Sequence, residues 1–203
     1  MEDIQLTHEQ LDAFKEIGNI SAGNAATAFS QLVGRSVGME VPEVRMVSIS
    51  RLKSVMDPDA LRIGFYQRVV GEASGHVLVM LTKASAFELV HLVLGEPKGP
   101  GRFLTPRDED CLKELANIVV GSYLTTLSKI TGFLFMPSVP VLTVDLVCSM
   151  ISYIMNQRPE VGFAFLLAHQ LRIAGSDIML QFLLLPHPDS LPMILKAVPA
   201  IFQ

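Results

Sequence analysis

A chain of 203 residues can bury one sizeable core, and with half its residues hydrophobic and only 18% charged, much of it should be core or interface. A net charge of −4 without any Lys/Arg-rich run argues against nucleic acid as a partner, and two cysteines, Cys111 and Cys148, give no disulfide framework. The acidic start MEDIQLTHEQ lacks an apolar signal core, and prolines and Asp145 break the apolar stretches 133–147 and 178–202 below the roughly 18 uncharged residues of a membrane span, so no membrane insertion and a cytoplasmic location are expected.

The first predicted helix opens at Thr7, with Gln10 completing a capping signal, and stops near Gly34. Residues 36–48 read as a strand that Pro42 confines to an edge or an entry position. Two further strands, 61–70 and 76–82, flank the turn at 71–75, and residues 84–94 form an amphipathic helix closed by Gly95. The stretch 96–101, EPKGPG, is the one linker-like composition. The order then restarts. Thr105 and Pro106 open a second long helix, residues 161–172 and 178–185 read as strands around the turn Gly175-Ser176-Asp177, and a last helix starts at Ser190. Residues 147–158 look more helical than their counterpart around 49–55.

Residues 6–42 and 104–140 are identical at thirteen of 37 positions, where average usage gives roughly two or three, so the chain contains an internal duplication. The same offset aligns Gly64-Phe65 with Gly162-Phe163. The expected fold is α/β in the α+β sense, with two α-β-β-β-α halves related by a pseudo-two-fold axis. A three-stranded half would leave an apolar edge, so the halves should join in one continuous, mainly antiparallel six-stranded sheet covered by helices. That makes residues 1–203 a single domain of two repeats, about 6–98 and 104–203.

Nucleotide, P-loop, zinc-protease, serine-hydrolase and CxxC signatures are all missing, and Glu88 with His91 reads as a helix-surface pair rather than a metal site. What stands out is polar. Asp12, Glu16 and Asn19 in one long helix, and Asp110, Glu114 and Asn117 in the other, recur at i, i+4 and i+7, within about 60° of one helix face. The opposite faces are apolar, with Phe14, Ile17, Ala25, Ala28 and Leu32 in the first and Leu112, Leu115, Val119, Tyr123 and Ile130 in the second. One such stripe alone is a solvated surface, its Glu paired with Lys15 or Lys113. Two of them, in copies that differ at most positions, point to use, because Asn is a mediocre helix-interior residue. A carboxylate and an amide supply no nucleophile, but they can grip a cation and orient a water, which suits hydrolysis of an already labile bond.

The spacing Asp/Ser-x3-Glu-x2-Asn-x22-Pro resembles the signature of the CheC, CheX and FliY phosphatase family of bacterial chemotaxis. It occurs twice, as Asp12, Glu16, Asn19, Pro42 and as Asp110, Glu114, Asn117, Pro140. The usual Gly-Asn pair is Gly18-Asn19 in the first copy and Ala116-Asn117 in the second. The resemblance implies hydrolysis of the aspartyl phosphate of the response regulator CheY, with Asn positioning the attacking water and Glu contacting a regulator lysine. It implies no cofactor of the chain's own, since the Mg²⁺ would sit on CheY. It further implies binding of the receptor deamidase CheD, with Asp145 at a position associated with that contact, although Asp145 equally reads as a helix N-cap. The alternative reading is a non-catalytic adaptor that regulates CheD. A motor-switch component is disfavoured, because the chain ends at Gln203 without a further switch domain.

Overall fold

A computed structural model describes residues 6–95, 103–157, 159–173 and 175–198, with side chains at all of these except 42 and 53. Both long helices start as the sequence requires. The Thr7 hydroxyl accepts from the Gln10 N–H at 3.1 Å and the Gln10 side chain accepts from the Thr7 N–H at 3.0 Å, so two of the orphan donors at the start of α1, His8–Val33, are satisfied. Thr105 and the buried Asp108 make the same reciprocal box, with Pro106 at the first position of α4, Pro106–Thr131. Gly34 (φ 65°) and Gly132 (φ 75°) end the two helices in the left-handed conformation.

Between and after these helices lie β1 Val37–Ser48, a 3-10 turn Ile49–Arg51, α2 Leu52–Val55, β2 Leu61–Gly71, β3 Gly75–Leu81 and α3 Lys83–Leu94. The second half continues with β4 Phe135–Pro137, β5 Val141–Leu146, α5 Val147–Gln157, β6 Phe163–Ile173, β7 Ser176–Pro186 and α6 Ser190–Ala197. The linker-like stretch 96–101 lies outside the described residues.

All strands join one antiparallel sheet in the order β1-β6-β7-β3-β2, and the sixth place is shared by β4 and β5, which both pair with β2. The six-stranded sheet is therefore present with its last strand cut in two. Pro137 and Pro140 have no N–H to give a ladder, and after the Ser138 N–H donates to the Arg68 carbonyl at 2.8 Å the chain leaves it at 139 and 140. The first half meets the same problem at Pro42 with a bulge between Glu40 and Glu43, which keeps β1 continuous.

At the sheet's centre Val79 of β3 faces Phe182 of β7, and pairing runs symmetrically outward from that point. Register corrects one expected equivalence. Arg45 pairs with Leu166, and its counterpart Thr143 pairs with Gly64, so Gly64 corresponds to Leu166 and not to Gly162. The displacement arises because α5 is longer than the 3-10 turn and α2 that occupy its place in the first half.

Strand alternation sends side chains to two cores. Ile63, Phe65, Val69, Val79, Leu167 and Phe182 meet the helices α1, α3, α4 and α6, whereas Leu78, Met80, Leu166 and Leu183 meet α2 and α5. Each fully buried Phe or Leu contributes about 1.5–3 kcal/mol. The inward face of α1 carries Phe14, Ile17, Ala25 and Phe29. Leu32, expected there, is 45% exposed, because Phe29 one turn earlier fills the last inward place before Gly34. The two cysteines are free and half-buried. No helix among the described residues is long and apolar enough to cross a membrane.

Candidate functional site

Packing of Leu112, Leu115 and Val119 into the core turns the other side of α4 outward, and Asp110, Glu114 and Asn117 are exposed there. Lys113 does not occupy Glu114. It pairs with Glu109 at 3.5 Å, as Lys15 pairs with Asp12 at 3.3 Å in α1. Glu16 and Glu114 consequently form no hydrogen bond or ion pair among the described residues, and both carboxylates are open to a partner.

On α4 the stripe becomes one wall of a cleft of about 480 Å³. Asp110, Lys113, Glu114 and Asn117 line one side, and Pro137, Ser138, Val139 and Pro140 the other. The structure thus brings together all four residues expected in the second copy, Asp110, Glu114, Asn117 and Pro140. The break between β4 and β5 is what places the opposite wall, and it leaves Val139 at the lip, 81% exposed.

Gln67 was not legible as part of this site. It lies on the inward row of β2 between Phe65 and Val69 and is fully buried. Its Nε2 donates to the Ser138 carbonyl at 2.6 Å and to Asn117 Oδ1 at 3.3 Å, and its Oε1 has no partner among the described residues. The one sequence signal is an amide on a strand row that is otherwise apolar.

In the first copy Asp12, Glu16 and Asn19 are also exposed on one face of α1. The Pro42 side chain lies outside the described ones. Val41 packs beside Gly18, and behind that glycine the Tyr123 hydroxyl stands 3.4 Å from the Gly18 carbonyl and 2.5 Å from His169 Nε2. Burial pushes the His169 imidazole down to about 4, so it is neutral at physiological pH, and pushes the Tyr123 phenol above its ordinary range. Burial, reinforced by Asp108, raises the Cys111 thiol to about 11, which leaves it a poor nucleophile. The Asn19 side chain makes no hydrogen bond among the described residues.

Asp145 belongs to β5, opposite Arg62, so the helix-cap reading is set aside. Its Oδ1 accepts from the N–H of Leu146 at 2.7 Å, while the first amides of α5, on Val147 and Cys148, donate to the carbonyls of Ala60 and Pro58. It lines a separate pocket of about 370 Å³ with Tyr66, Tyr153 and Val141. Among the described residues no three metal-ligating side chains converge.

A model of the CheC-like family matches residues 9–46 and 109–144, the helix and following strand of each half. A Bacillus subtilis (strain 168) protein named CheY-P phosphatase CheC is 31% identical over 160 residues, covering 77% of each chain. The flagellar motor switch phosphatase FliY of the same organism is 27% identical over 128 residues, 62% of this chain and 33% of that one. Among solved structures, Thermotoga maritima FliY superposes with a TM-score of 0.76 at 20% identity over 97% of this chain and 99% of that one. A chain of the FliM–SpeE complex from H. pylori gives 0.72 at 15% identity over 98% of each. At such identities these two likenesses concern the fold.

Proposed function

The chain belongs to the CheC-like family, and we propose that it accelerates hydrolysis of the aspartyl phosphate of the response regulator CheY. The observation that carries this reading is a carboxylate with no partner among the described residues and a carboxamide, Glu16 with Asn19 and Glu114 with Asn117, displayed one helical turn apart on both long helices. Hydrolysis needs a water to attack phosphorus in line as the bond from phosphorus to the aspartyl oxygen breaks, giving a carboxylate and inorganic phosphate. A carboxamide does not titrate near neutrality, so Asn19 and Asn117 act by holding that water, with Oδ1 accepting from it and Nδ2 donating to an oxygen nearby. Glu16 and Glu114 supply the charge that docks against a lysine of the regulator. In this reading the Mg²⁺ that offsets phosphoryl charge belongs to CheY, and this chain contributes the docking carboxylate and the placement of the water.

Decay of phosphorylated CheY, followed with and without the protein, tests the reading. The parent speeds the decay, and Asn19→Ala combined with Asn117→Ala returns it to the unassisted rate with an unchanged circular-dichroism spectrum. Undiminished acceleration by that double variant overturns the mechanism.

A second reading, binding and regulation of the deamidase CheD, has its own observation. Asp145 is exposed on β5 beside Val141 and Tyr153, both large side chains more than half exposed. An Asp145→Lys variant should lose CheD in a pull-down while keeping its effect on CheY phosphate, and full retention of CheD removes Asp145 from the contact.

A further inference from the structure

We propose that Gln67 is a positioning residue for Asn117, a device that makes the α4 site preorganised and that has no counterpart at α1 among the described residues. The inference deepens the phosphatase reading above and rests on it.

Chemistry fixes which end of each amide points where. The Ser138 carbonyl only accepts, so the Gln67 atom 2.6 Å away is the donor Nε2. The second N–H of that nitrogen faces Asn117 at 3.3 Å, so the atom presented to it is the acceptor Oδ1. Asn117 is thereby held with Nδ2 and the remaining lone pair of Oδ1 left for other partners, at the wall of the cleft it shares with Glu114 and Ser138.

Packing alone gives no reason for an amide at this position. Gln67 is 0% exposed with an Oε1 that has no partner among the described residues, and burying an unsatisfied acceptor is unfavourable where an apolar side chain of equal length would fill the row. The other half shows the alternative. By register the counterpart of Gln67 is His169, since Gln67 faces Val77 on β3 as His169 faces Leu180 on β7. His169 is equally buried but engages Tyr123, and the Asn19 side chain makes no hydrogen bond among the described residues. Holding a rotamer-rich side chain before the partner arrives removes an ordering step from the reaction, and is expected to be worth about three- to tenfold in rate.

The experiment is a pair of backgrounds. With Asn19→Ala in place, so that only α4 acts, Gln67→Met lowers kcat for phospho-CheY hydrolysis about three- to tenfold with KM unchanged. With Asn117→Ala in place instead, Gln67→Met adds no further loss. No effect in the first background, or equal effects in both, overturns the proposal. Methionine keeps the volume and lacks the donors, so the fold should tolerate it. Side-chain ¹⁵N relaxation gives a readout independent of catalysis. The Asn117 amide is more ordered than the Asn19 amide in the parent and loses that order in Gln67→Met. Equal mobility of the two amides in the parent also overturns the proposal. If the parent does not accelerate phosphate loss at all, the phosphatase reading falls, and relaxation still decides whether Gln67 restrains Asn117.

Discussion

Val41 lies 3.4 Å from the point a Cβ on Gly18 would occupy, which is ordinary van der Waals contact. The counterpart pair is Val139, turned out to solvent, and Ala116, buried in α4. The difference between Gly-Asn and Ala-Asn in the two copies therefore carries no steric penalty. Gly18→Ala is expected to raise the free energy of unfolding by about 0.5–1 kcal/mol through helix propensity, read by urea denaturation, and to leave Asn19 exposed.

The two asparagines should not be equal. Asn117→Ala removes an amide tethered by Gln67 and Asn19→Ala one with no tether among the described residues, so the first variant should lose about threefold or more activity relative to the second in a phospho-CheY decay assay. Equal losses would show that tethering is irrelevant to the rate.

His169 makes stability depend on pH. Its folded value of about 4 lies below the ordinary 6.5, so between these limits the unfolded chain binds more protons and stability falls as pH falls. Above about 6.5 the contribution is complete and flat. The swing is on the order of 3 kcal/mol. His169→Gln installs the residue found at the counterpart position, and the variant's stability should fall less than the parent's over this window. Urea titrations of both proteins near each limit measure the difference.

Gly71 is the backbone hinge that lets β4 reach β2. Its φ of 137° is unfavourable for other residues, and an added Cβ would sit 2.1 Å from the Leu134 carbonyl oxygen. Gly71→Ala is expected to lower stability by about 2–4 kcal/mol, seen as a fall in Tm, and to displace the chain that carries Ser138 into the cleft.

Much of this architecture is legible in local chemistry. Thr7 with Gln10, Thr105 with Pro106, and Gly34 and Gly95 mark helix limits because caps act within four residues. Asn19 and Asn117 become visible because the sequence states them twice. Gln67 stays hidden for the opposite reason. Its partner is fifty residues away in sequence, and the halves slip out of a constant offset after β1 and β5, so no copy announces it. The split of the sixth strand is similarly non-local, since Pro42 is absorbed as a bulge in one half while Pro137 and Pro140 together interrupt the ladder in the other.

The crossed pairing of the sheet has a consequence for how the molecule comes apart. β1 bonds to β6, and β4 and β5 bond to β2, so the first strand of each half finds its ladder on the other half. A fragment ending in the 96–101 stretch would carry β1 with no neighbour and one side of α1 stripped of α4. Each half expressed alone should behave as an incomplete template, and mixing the two should restore cooperative melting in a concentration-dependent way.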